Sequence, residues 1–165
     1  RSVYEALVTL KSPLILDIGC NVAEEVKYFL SLEGSNIFCF EPDPRAIKKF
    51  KDIFSSYENV FLIEKAVSLV DGNLKFFQSD GTIYGRSNWD ESGSIKVPRV
   101  EEINKKWAGL EFRSIDVPST RLDTFCKERK IESIDFIWMD VQGAELDVLM
   151  SGKEQIQNTK YIYTE

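Results

Sequence analysis

A chain of 165 residues, 43% hydrophobic and 29% charged, has the make-up of one ordinary globular domain. Its net charge of −6 gives no overall attraction to nucleic acid or to an anionic lipid surface, so no nucleic-acid partner is expected. The absence of His and the wide separation of Cys20, Cys39 and Cys126 remove the commonest general base and the usual metal-binding spacings. Three buried, reduced thiols fit a reducing, cytoplasmic setting.

The chain opens with a short apolar run, Leu14 to Ile18, bounded by Pro13 and Gly19, which reads as a buried parallel strand. Val22, Val26, Phe29 and Leu30 follow at helical spacing. Ile37 to Phe40 is a second strand. Asp43-Pro44 then offers an N-cap and a first-turn proline to a helix with Ile47, Phe50, Ile53 and Phe54 on its apolar face. Val60 to Ile63 is a third strand. This β-α-β-α-β order points to a mostly parallel sheet with helices on both faces.

The pattern then changes. Ala66 to Val70 and Asn73 to Phe77 flank Asp71-Gly72, a hairpin signal. Residues 78–118 are polar and weakly periodic, and read as a long loop or lid. Within it Tyr84, Arg86, Trp89 and Trp107 could line an acceptor or anchor the segment to the core. Thr120 and Asp123 have capping-box spacing ahead of Leu122, Phe125 and Cys126. Ile134 to Val141 is the most apolar strand. The helix after Gly143 is expected to turn Leu146, Leu149 and Met150 inward and to stop at Gly152, and Tyr161 begins a further strand. No run approaches the ~20 apolar residues of a membrane span.

Ligands of an open α/β sheet collect at the carboxyl ends of its strands. Here those ends carry Asp17, Gly19, Glu41, Glu64 to Ala66, Asp140 and Glu165, a set rich in carboxylates and hostile to phosphate. The first turn, Asp17-Ile18-Gly19-Cys20-Asn21, keeps one glycine of the dinucleotide fingerprint and puts Glu24 where a pyrophosphate would approach, which disfavours an NAD-linked dehydrogenase. A cationic, phosphate-free nucleoside such as S-adenosylmethionine suits the same turn. Asp17 would attract its ammonium, Gly19 would allow close backbone approach, and Asn21 would tolerate a left-handed turn or bind the carboxylate. Glu41 follows 22 residues after Gly19, the spacing of an acid that holds ribose hydroxyls. Cys20, Pro42, Ala66 and Asp140 complete the expected cofactor contacts.

The segments LDIGCNVAEE, FCFEPDPRAIKKF, STRLDTFCKERKIESIDFIWMDVQGAELDVLMSG and YIYTE resemble the FkbM-type methyltransferases over roughly residues 14 to 165. The resemblance implies a Rossmann-like, class I methyltransferase fold of seven strands, S-adenosylmethionine as donor and, usually, a hydroxyl of a small molecule or glycan as acceptor. It carries Asp17, Gly19, Asn21 and Glu41 over as cofactor contacts and marks Asp140, Gly143 and Glu145 in the later motif. Three positions depart from the family pattern: Ala23 replaces a usual Gly, Trp138 a frequent Lys and Gln142 a frequent Glu.

Asp140 is therefore the candidate catalytic base. It could instead share a divalent cation with Glu165, although no metal site is predicted. Asp140 may alternatively only cap its turn, and Glu145 only complement a helix dipole. The departures also keep open a non-catalytic, S-adenosylmethionine-binding module. Residues 1–165 are expected to form one methyltransferase domain lacking the last strands of its sheet, since a strand at Tyr161 would otherwise be an uncovered edge. The sequence does not fix the oligomeric state.

Overall fold

Burial on both faces of the strands builds the centre of the protein. In the computed structural model, which describes residues 3–83, 86–87, 89–106 and 108–164, five strands form one parallel sheet in the order β3-β2-β1-β8-β9. They are β1 (Leu14–Ile18), β2 (Asn36–Phe40), β3 (Val60–Ile63), β8 (Ile134–Met139) and β9 (Thr159–Thr164). Ile15, Ile37, Cys39 and Phe136 face one side, against α1 (Val3–Leu7), α2 (Val26–Phe29) and α3 (Pro44–Phe54). Leu16, Ile18, Phe40, Ile137 and Met139 face the other, against α5 (Leu122–Arg129), α6 (Glu145–Ser151) and α7 (Lys153–Gln157). The α/β architecture with helices on both faces is as expected.

Local signals explain the element starts. Asp43 caps α3, accepting from the Arg45 N–H at 2.9 Å, with Pro44 in the first turn. Val26 and Phe29 are buried, but the helix around them is a single turn, because Asn21 and Ala23 take left-handed backbone just before it. On α3, Ile47, Phe50 and Phe54 point inward, whereas Ile53 is exposed.

The middle of the chain departs from expectation. Residues 66–77 do not pair as a hairpin. Instead β5 (Gly72–Ile83) pairs antiparallel with β7 (Leu110–Thr120), and β4 (Ala66–Val67) joins the end of β7 in parallel. The supposed 78–118 loop therefore contains the second half of β5, β6 (Arg86–Ser87), α4 (Val100–Lys106) and most of β7. These strands cover only a small apolar cluster of Ala66, Phe76 and Val117, so their other face is polar and the strand pattern is diluted. Tyr84 and Trp107 lie outside the described residues.

Two helix readings are also corrected. Thr120 ends β7 and does not cap α5. Arg121 holds the N-cap position, with its guanidinium on Asp123. On α6 the buried residues are Val148 and Ser151, while Leu146 is 68% exposed and Met150 44%. The turn at Gln142 and Gly143, both at positive φ, rotates the helix start so that Ala144 and Val148 face the sheet.

Candidate active site

The order of the sheet reverses between β1 and β8, and at their carboxyl ends lies a cavity of about 320 Å³. Its floor is the turn after β1. Gly19 has φ +83°, and a Cβ there would lie 2.1 Å from the Asp140 carbonyl oxygen, so only glycine lets the two turns touch. The N–H groups of Gly19 and Cys20 both donate to the Phe40 carbonyl, which fixes the turn against the end of β2.

Glu41 is buried beside that turn. One carboxylate oxygen accepts from the Asn21 N–H at 2.8 Å, the other from the Asp43 N–H at 2.7 Å. Burial raises its pKa to about 7, against the lowering effect of these two hydrogen bonds and with help from the Asp43 and Asp90 charges. Asp43 is itself paired with the Arg45 guanidinium and accepts a hydrogen bond from the Gln78 amide. Asp17 is fully buried, and neither of its carboxylate oxygens has a hydrogen-bond partner. Burial, then Glu25, Glu41 and Asp140, push its pKa well above the usual carboxylate range. Burial likewise raises the Cys20 thiol, keeping it protonated and unreactive.

Across the cavity, Asp140 accepts from the Gln142 side-chain amide at 2.7 Å. Glu145 caps the same turn, accepting from the N–H groups of Gly143 at 3.0 Å and Val141 at 3.3 Å. This role exceeds the dipole effect expected for it. Over the mouth runs a strap, residues 89–96, rooted on β5 by the Phe77–Ser94 bridge. One foot is Asp90, whose carbonyl accepts from the Asn21 amide at 2.9 Å and whose carboxylate pairs with Lys49. The other foot is Ser94, which donates to the Val141 carbonyl, together with Lys96 paired to Asp147. Gly93 packs directly on Phe76, with no room for a Cβ.

Gly19, Cys20, Asn21, Glu41, Pro42, Ala66 and Asp140 all line this cavity, while Asp17 lies beneath its floor instead of fronting it. Asp90, Ser94, Phe76 and Trp138 also line it and were not among the expected contacts. Trp138 was flagged only as a departure, and the other three fall in or beside the segment read as a loop. Among the described residues no group of three or more Cys, Asp or Glu is arranged to hold a metal ion, and Glu165 lies outside them. No helix among the described residues is long and apolar enough to cross a membrane.

A glycine turn over parallel strand ends, with a buried acid closing the second strand, defines a nucleoside-binding α/β fold. The chain belongs to the FkbM methyltransferase domain family, which it matches over residues 17–165. It is 42% identical over 167 residues to the 2-O-methyltransferase NoeI of Sinorhizobium fredii (strain NBRC 101917 / NGR234), a match covering 99% of this chain and 68% of that protein. A Listeria monocytogenes crystal structure, provisionally described as an S-adenosylmethionine dependent methyltransferase, aligns with 75% of this chain and 78% of its own. Its TM-score of 0.33 and 13% identity are too low to carry weight. Family membership makes the chain a methyltransferase, implies S-adenosylmethionine as donor, and sets aside the dehydrogenase reading.

Proposed function

We propose that residues 1–165 act as one catalytic domain that transfers a methyl group from S-adenosylmethionine to a hydroxyl of a small molecule or glycan. The observation that carries this reading is the pairing of a fully buried, unpartnered carboxylate, Asp17, with a cavity whose walls are rich in acids. A buried carboxylate without a partner is costly, and a cationic ligand supplies what it lacks. The residues present therefore fit the donor that the family implies. When bound, it supplies an activated methyl group on a sulfonium.

The chain's own residues divide the remaining work. Gly19 lets a ligand approach the backbone closely. Glu41, held by two backbone N–H groups, would receive the ribose hydroxyls, and Cys20, Asn21, Pro42 and Ala66 would shape the surrounding wall. With a ligand bound, the strap would limit the access of water to the cavity. Asp140 would accept the proton as the acceptor's O–H bond breaks and the new O–CH₃ bond forms. The relative's printed name supports a hydroxyl acceptor, and that class alone is carried over here.

The test is formation of S-adenosylhomocysteine and of a methylated product, followed by mass spectrometry across a panel of hydroxylated sugars and small alcohols. Product carrying one added methyl on oxygen is expected. Tight cofactor binding with no transfer to any acceptor would instead favour a non-catalytic binding module.

A further inference from the structure

Asp17, Trp138 and Tyr163 occupy one row across three adjacent parallel strands, because Asp17 is in register with Trp138 and Trp138 with Tyr163. The two rings are stacked, with centroids 4.1 Å apart and planes 16° from parallel. Tyr163 on β9 therefore covers one face of the indole. Since β8 lies between β9 and β1, Asp17 is the in-register neighbour of Trp138 on the side away from Tyr163. Phe29 meets the indole at 62°, holding it from the helix side. Trp138 also lines the cavity, as do Glu25 and Asp140.

This arrangement is unfavourable without a ligand. The face of an aromatic ring is electron-rich, and here the next residue across the sheet is a buried carboxylate that has no hydrogen-bond partner. Glu25 and Asp140 add negative charge close enough to act on Asp17. A lysine at position 138 could have neutralised Asp17 from within. The indole cannot, so a cation from outside is what would favour the ionised form of Asp17. An organic ammonium between an aromatic face and carboxylates satisfies both, by cation–π attraction and by charge.

Resting on the function proposed above, we infer that Trp138, backed by Tyr163, is a cofactor-binding residue whose indole face receives the ammonium-bearing end of S-adenosylmethionine or S-adenosylhomocysteine.

The probes are S-adenosylhomocysteine, which carries the ammonium, and 5′-methylthioadenosine, which shares the nucleoside and thioether but lacks the amino-acid tail. Titration calorimetry with Trp138→Leu should show S-adenosylhomocysteine weakened about tenfold, within the range for a cation on a desolvated ring, and methylthioadenosine unchanged. Trp138→Phe should retain most of the affinity. Wild-type protein grown with 5-fluoro- and trifluorotryptophan provides a version that keeps the packing. Stepwise loss of S-adenosylhomocysteine affinity with fluorination, abolished in Trp138→Phe, supports the assignment.

Equal losses for both probes would mean that Trp138 only shapes the cavity, and would overturn the inference. So would unchanged affinity in Trp138→Leu. Wild-type protein that binds methylthioadenosine and S-adenosylhomocysteine equally well also overturns it while leaving the proposed function standing. Wild-type protein that binds neither removes the proposed function itself.

Discussion

The parallel sheet and the mixed annex of β4, β5, β6 and β7 contribute to one cavity by opposite means. The inner strands β1, β2 and β8 are covered by helices on both faces, so most of their residues are apolar and tightly packed. The annex buries one small cluster and meets the cavity through a strap held by hydrogen bonds and two ion pairs, Lys49–Asp90 and Lys96–Asp147. The sheet side thus holds its wall by packing, while the annex side holds its wall by polar contacts. The difference teaches that a site can be rigid on one wall and adjustable on the other within a short chain.

The largest effect should come from the rigid wall. Asp140→Asn is nearly isosteric but cannot take up the acceptor's proton. Turnover should fall by about 10²- to 10⁴-fold, while S-adenosylhomocysteine affinity stays within a factor of three. Steady-state rates beside calorimetry check this, and undiminished turnover removes Asp140 from the mechanism.

Gly19→Ala tests rigidity in the fold itself. A methyl group 2.1 Å from the Asp140 carbonyl, on backbone at φ +83°, forces the two turns apart. A loss of about 3 kcal/mol in denaturant unfolding is expected, together with loss of cofactor binding. A stable variant that still binds would show this wall to be softer than argued.

Glu41→Ala should weaken S-adenosylhomocysteine by about 1.5–3 kcal/mol, the scale of hydrogen bonds to a charged group. In the wild type the raised pKa of about 7 gives this residue a pH signature. The ionised form is the stronger acceptor for ribose hydroxyls, so affinity should climb as pH rises through about 7. Stability runs the other way. The folded protein holds this proton more tightly than the unfolded chain, so the stabilising contribution is complete below about 4.5 and is lost as pH rises to about 7. Affinity independent of pH across this window would show that Glu41 does not meet the ligand.

The smallest stability effect belongs to the annex. Lys96→Ala removes a partly exposed pair and should cost less than about 1 kcal/mol. Its visible consequence should be faster dissociation of S-adenosylhomocysteine in stopped-flow measurements, mimicked in wild type by added salt. A stability loss matching that of Gly19→Ala would erase the distinction between the two walls.

The same contrast governs what could be read from the sequence. Leu14 to Ile18, Ile37 to Phe40 and Ile134 to Met139 announce themselves because burial on both faces demands unbroken apolar runs. Their ends then place Gly19, Glu41 and Asp140 at the cavity by topology alone. Asn73 to Phe77 was read as a strand with the wrong partner, and the rest of β5 and β7 escaped because half their residues face water and because β5 pairs with a strand that begins only at Leu110. Asp90 and Ser94 were invisible for the same reason, since no local pattern marks a polar segment that folds back over a distant turn. Asp17 carried the right chemistry, but its depth could not be read from spacing. Leu146 and Met150 were misplaced because positive φ at Gln142 and Gly143 resets the helix's rotation.

One continuous stretch of chain, from Ala66 to Thr120, holds every strand of the annex together with the strap. It leaves the parallel sheet after β3 and returns at α5, so insertions, deletions and wholesale replacement can accumulate there without altering any pairing among β1, β2, β3, β8 and β9. The gene for such a protein carries one cover of the cavity as a cassette, exchangeable while the floor formed by the turns after β1 and β8 is kept.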